Sequence, residues 1–102
     1  MDIQSGHVAV ITGAGGGLGS ALAQGLAEKG CALALADISK EALEKTAASL
    51  SSKAGKVTRH IVDVTDRKAM EKFRDDVLKE HSGVNILINN CLLYTSPSPR
   101  DS

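Results

Sequence analysis

Four short apolar runs punctuate this chain, and the spacing between them rules out hairpins. The runs are HVAVITG (7–13), CALALAD (31–37), KVTRHIVDV (56–64) and VNILINN (84–90). Continuous rather than alternating hydrophobicity in the first two marks buried strands, whereas the fourth, last in the chain, is expected to stand as an apolar edge. The segments between them are long enough for one helix each, as a crossover between parallel strands requires. The alternation predicts an α/β chain with right-handed βαβ units in a doubly wound parallel sheet. Aromatic residues make up only 2% of the sequence, so Val, Ile, Leu and Ala must fill that core.

The intervening segments carry helical periodicity. In GLGSALAQGLAEKG, Leu18, Ala21, Leu22, Gly25 and Leu26 fall on one expected apolar face, and Gly30 follows Lys29 as a stop. Ser39 is placed to cap a second helix with Leu43, Ala47 and Leu50 as its stripe and Glu41–Lys45 as an i,i+4 pair. A third helix is expected from Thr65, with Met70, Phe73 and Val77 facing inward. Lys68 stands where a capping box would want Glu, which weakens that start.

Several functional classes are excluded early. Lys+Arg and Asp+Glu are 12 each, so no bulk charge recruits nucleic acid or an anionic membrane. No apolar run approaches a membrane span, and Asp2 with no basic residue before the first run does not read as a secretory signal. Cys31 and Cys91 have neither metal nor disulfide-framework spacing, so a reduced, cytoplasmic setting is expected. His7, His60 and His81 have no nucleophile or second ligand at a recognisable spacing.

The chemistry concentrates in TGAGGGLG, Thr12 to Gly19, between the first strand and the first helix. Gly13 suits a tight turn, Gly17 a close backbone approach to a pyrophosphate, and Gly19 close packing of helix on sheet. The helix start would offer N–H groups and the positive end of its dipole to phosphates. A flexible loop with incidental glycines is the plain alternative. The spacing, T-G-x-x-x-G-x-G, differs from the common G-x-G-x-x-G fingerprint.

With that spacing the chain resembles the N-terminal part of the short-chain dehydrogenase/reductase family. Asp37 at the end of the second run, Asp63-Val64 at the end of the third and Asn89-Asn90 at the end of the fourth match in order. The resemblance covers residues up to about Asn90. It implies a Rossmann-type sheet truncated after the fourth strand and cofactor contacts at Thr12, Gly13, Gly15, Gly16, Gly17, Leu18 and Gly19. It implies further contacts at Asp37 and Ile38, at Asp63 and Val64 around the adenine, and at Asn90 near the riboses. The parent would then be a homo-oligomeric oxidoreductase acting on a secondary alcohol or ketone. A carboxylate at Asp37 can accept from ribose hydroxyls and would repel a 2′-phosphate. Gly16 and Ile38 stand where a phosphate-preferring site would want Arg or Lys, so NAD is expected over NADP. The plain alternatives are a strand-end acid or helix cap for Asp37 and a turn residue for Asp63.

The family's catalytic Ser and Tyr-x-x-x-Lys are not found here. Tyr94 is the sole tyrosine, and Ser98 stands where the Lys should be. CLLYTSPSPRD, from Cys91, resembles a translated sequencing-library adapter. Residues 1–90 are therefore expected to form a partial NAD(P)-binding domain, and 91–102 an unstructured, artefactual tail. Ser96-Pro97 and Ser98-Pro99-Arg100 could alternatively be phosphorylation sites or a short proline-rich ligand. A non-catalytic nucleotide-binding or protein-interaction module remains the rival reading. No catalytic and no metal-ligating residue is expected.

Overall fold

The computed structural model describes residues 6–81 and 83–89. Four strands and three helices alternate along it: β1 (Val8–Thr12), α1 (Gly17–Glu28), β2 (Ala32–Asp37), α2 (Lys40–Ala48), β3 (Val57–Ile61), α3 (Arg67–His81) and β4 (Ile86–Asn89). The sheet is wholly parallel with strand order β3-β2-β1-β4. The chain steps outward from β1 to β3, then crosses back past β1 to lay down β4. That reversal makes the carboxyl end of β1 a topological switch point, where open α/β sheets form their ligand crevice.

Strand pleating divides the core between two faces. Ala9, Ile11, Leu33 and Leu35 join Ala23, Leu26, Ala27 and Leu43 beneath α1 and α2. Val10, Ala34 and Ala36 join Val62, Phe73 and Val77 beneath α3. The doubly wound arrangement and the inward residues of α2 and α3 are as the periodicity predicts. Gly30 ends the α1 region at φ +84°, and Cys31 packs as a buried small residue.

Two expectations need correction. The buried face of α1 is Gly19, Ala23, Leu26 and Ala27, with Leu22 partly buried; Leu18, Ala21 and Gly25 are exposed. The cause is Gly19: an ideal Cβ there would lie 2.2 Å from the Gly13 carbonyl oxygen. The bare glycine must face the turn, so the helix rotates Leu18 outward. The third helix begins at Arg67 rather than Thr65, because Asp66 accepts from Ala69 N at 3.2 Å and Thr65 is held by Asp63. β4 is, as expected, an exposed edge: Ile86 and Ile88 pack on the core, but Leu87 is 68% exposed.

The carboxyl end of α3 is anchored to β3. Lys56 Nζ donates to the Glu80 carbonyl at 3.0 Å and pairs with its carboxylate at 2.9 Å. The Thr58 hydroxyl lies 2.8 Å from His60 Nε2 and 2.7 Å from His81 Nε2. Burial is the main influence that pushes both imidazoles below their ordinary pKa.

Candidate functional site

β1 carries Thr12 to the switch point, where it is 1% exposed and donates through Oγ1 to Asn89 Oδ1 at 2.9 Å. This bond ties β1 to β4 across the crevice. At the other end of the same pair, Asn85 Oδ1 accepts from Val8 N at 2.9 Å and fixes the entry of β4. Neither asparagine contact was legible before β4 was placed beside β1.

The glycines that follow Thr12 do different things. Gly13 adopts φ +65°, the left-handed conformation that turns the chain off the strand. Gly16 donates to the Gly13 carbonyl at 3.1 Å and becomes the N-cap of α1. No side chain caps α1, and its first turn holds no acid. Its leading amides are thus presented without a competing carboxylate from the helix itself. A Cβ at Gly17 would meet nothing within 4 Å, which leaves room there for a second molecule. Gly15 is confined instead: its Cβ would lie 2.4 Å from Ala42 Cβ and 2.9 Å from Asp37 Oδ2.

Asp37 is drawn into this turn. Its Oδ2 accepts from Gly15 N at 2.9 Å, and its Oδ1 accepts from Ser39 N at 3.0 Å. Ser39 in turn caps α2, accepting from Ala42 N at 3.2 Å. A cleft of about 320 Å³ opens beside the carboxylate, lined by Gly13, Gly16, Asp37, Ile38, Val62, Asp63 and Val64. Two carboxylates, Asp37 and Asp63, line it, and the rest of the lining is apolar or backbone. That combination suits a flat, largely apolar group carrying hydroxyls.

Asp63 also has a local role. Its Oδ1 accepts from Thr65 N at 2.9 Å and from Thr65 Oγ1 at 2.6 Å, the turn geometry offered above as its plain alternative. These two donors, the hydroxyl first, hold its carboxyl below the usual range. The expected site residues Gly13, Gly16, Asp37, Ile38, Asp63 and Val64 are thus brought together. Thr12, Gly15, Gly17 and Gly19 shape the turn without lining the cleft, and Leu18 is 48% exposed outside it. Asn90 lies outside the described residues, as do Cys91, Tyr94 and the rest of the tail. Sequence reasoning missed Val62 and also Thr46, which is 3% exposed and donates to the Ala14 carbonyl at 2.9 Å. A signal existed for Thr46: it is a polar residue three positions after Leu43, on the buried stripe.

Among the described residues, no helix is long and apolar enough to cross a membrane, and no group of three His, Cys, Asp or Glu could hold a metal. With this geometry in place, the comparison with known proteins is decisive on ancestry. The sequence profile described as short chain dehydrogenase matches residues 7–99.

The chain belongs to the short-chain dehydrogenase family. It is 38% identical over 91 residues to meso-2,3-butanediol dehydrogenase of Serratia marcescens, an alignment that covers 89% of this chain and 36% of that enzyme. An NAD⁺-bound xylitol dehydrogenase superposes with a TM-score of 0.80 at 38% identity, over 84% of this chain and 33% of that one. A metagenomic short-chain oxidoreductase in complex with NADP superposes with a TM-score of 0.77 at 30% identity, over 84% and 39% of the respective chains. The chain therefore spans about a third of the length of these short-chain dehydrogenases.

Proposed function

We propose that this chain is the cofactor-binding part of an NAD-dependent short-chain dehydrogenase acting on a secondary alcohol or ketone. The observation that carries the reading is Asp37. Its carboxylate is held by the glycine turn and by Ser39 at the lip of a cleft that also contains Ile38, Asp63 and Val64. In that position it would accept hydrogen bonds from the adenosine ribose, and Ile38 and Val64 would flank the adenine. Gly13, Gly16 and Gly17, with the start of α1, would hold the pyrophosphate. A bound nicotinamide would supply hydride transfer. A similar xylitol dehydrogenase is NAD⁺-bound and a similar metagenomic oxidoreductase is in complex with NADP, which supports a nicotinamide dinucleotide in general. The preference for NAD rests on the negative charge of Asp37 and on the lack of a cation at Gly16 and Ile38.

By resemblance, the proton-transferring Tyr-x-x-x-Lys is not among these 102 residues, so the chain alone is proposed to be inactive. The domain is proposed to run to Asn90, and the genomic codons after Asn90 test that boundary. The test of cofactor choice uses the full-length parent. Asp37→Ala and, separately, Ile38→Arg should shift the NAD/NADP ratio of kcat/KM by about 1–3 kcal/mol toward NADP. A wild-type parent that already prefers NADP overturns the reading.

A further inference from the structure

We propose that Thr46, on α2, is a positioning residue for dinucleotide selection, acting through the single peptide unit that joins Ala14 to Gly15. The inference rests on the reading that Asp37 takes the adenosine ribose. The two ends of this peptide unit make different bonds. Its carbonyl oxygen, on Ala14, accepts from Thr46 Oγ1 at 2.9 Å. Its N–H, on Gly15, donates to Asp37 Oδ2 at 2.9 Å. A trans peptide is planar, so its C=O and N–H point in opposite directions and turn together. Whatever fixes the carbonyl therefore also aims the N–H at Asp37.

The surroundings make Thr46 the controlling contact. Ala14 is fully buried and its own N–H is committed to the Ala36 carbonyl at 3.0 Å. Thr46 is itself 3% exposed, so water does not readily replace its hydroxyl. Without that donor the Ala14 carbonyl is a buried acceptor with a lost partner, a state that drives rotation of the peptide. Rotation carries the Gly15 N–H away from Asp37. Gly15 must be glycine for the same device to close, since any Cβ would collide with Ala42 and with Asp37 Oδ2. Asp37 then keeps only its Ser39 contact at 3.0 Å, and its carboxylate is no longer locked at the ribose edge of the cleft.

The test uses the whole 102-residue chain and the variants Thr46→Val and Thr46→Ser. First, without dinucleotide, the Gly15 amide resonance is followed through the Asp37 carboxyl titration by NMR. Wild type and Thr46→Ser should show the Gly15 amide following Asp37, and Thr46→Val should lose most of that response. A wild-type Gly15 amide that ignores Asp37 overturns the proposal without any variant, which covers the case in which Thr46→Val does not fold. Second, calorimetry measures NAD and NADP affinity. Thr46→Val should lose about tenfold in its NAD-over-NADP preference, with Thr46→Ser restoring it. A merely structural hydroxyl would lower stability and weaken both dinucleotides equally, and an unchanged ratio in folded Thr46→Val overturns the assignment. A wild type that binds neither dinucleotide overturns the ribose reading and, with it, selection by Thr46. The amide titration separates that failure from a failure of the peptide clamp.

Discussion

Replacing Gly19 and Gly25 by alanine, one at a time, should change stability in opposite directions, although both lie within α1 and both carry the same change in side chain. In a helix interior, Gly→Ala gains about 0.5–1 kcal/mol from backbone entropy and propensity. At Gly25 a Cβ meets nothing within 4 Å, so the gain should appear undiminished. At Gly19 the Cβ would stand 2.2 Å from the Gly13 carbonyl oxygen and 2.9 Å from Ala14 Cα. Ordinary contact begins near 3.4 Å, so turn and helix must separate by about 1 Å within a close-packed interior. The obstacle is backbone in a left-handed turn, which cannot swing aside like a side chain. Overpacking of this kind costs about 1–3 kcal/mol and more than cancels the propensity gain. Urea unfolding of the 102-residue chain measures both. With a slope near 1 kcal/mol/M for so small a domain, Gly19→Ala should lower the midpoint by about 1–2 M and Gly25→Ala should raise it by about 0.5–1 M. Calorimetry with NAD should show that Gly25→Ala leaves affinity unchanged. A Gly19→Ala midpoint at or above wild type would refute the argument that bare glycine sets the rotation of α1.

Three further outcomes follow from the same geometry. Leu43 is 1% exposed on the inward face of α2, so Leu43→Ala should cost about 2–5 kcal/mol in urea unfolding. His60 and His81 have pKa values lowered from 6.5, first by burial, so the folded state favours neutral imidazoles. Their stabilising contribution is complete above 6.5 and falls as pH drops through their lowered values, so the midpoint should be lower near pH 5 than near pH 7. His81→Gln should flatten that dependence, and an unchanged slope would remove His81 from the account. Hydrogen exchange should be slower for Val8 to Ile11 than for Ile86 to Asn89, because β1 is buried along its length and β4 pairs through β1 with Leu87 outward; equal protection in a monomer would contradict this.

The sequence by itself determined the order of strands and helices, their inward stripes on α2 and α3, and the location of the glycine turn. These follow from period, caps and chain direction, all of which are local. It also brought Asp37, Asp63 and the end of β4 to one sheet edge, because parallel strands all end on the same side. What it could not determine were quantities set by contact between distant segments. The rotation of α1 was decided by the Gly13 carbonyl pressing on Gly19, which overrode the apolar pattern that favoured Leu18. The local partner of Asp63 was likewise a matter of three dimensions, since Thr65 donates both its N–H and its hydroxyl to one carboxylate oxygen, Oδ1. The two histidines, 21 positions apart, were joined only when β3 and α3 placed the Thr58 hydroxyl between them. Thr46 and Ala14, 32 positions apart, meet only because α2 folds back over the turn. A hydrogen bond depends on distances of tenths of an ångström, whereas periodicity fixes a side chain only to a face. The face was legible in the sequence, and the partner was chosen by the tertiary structure.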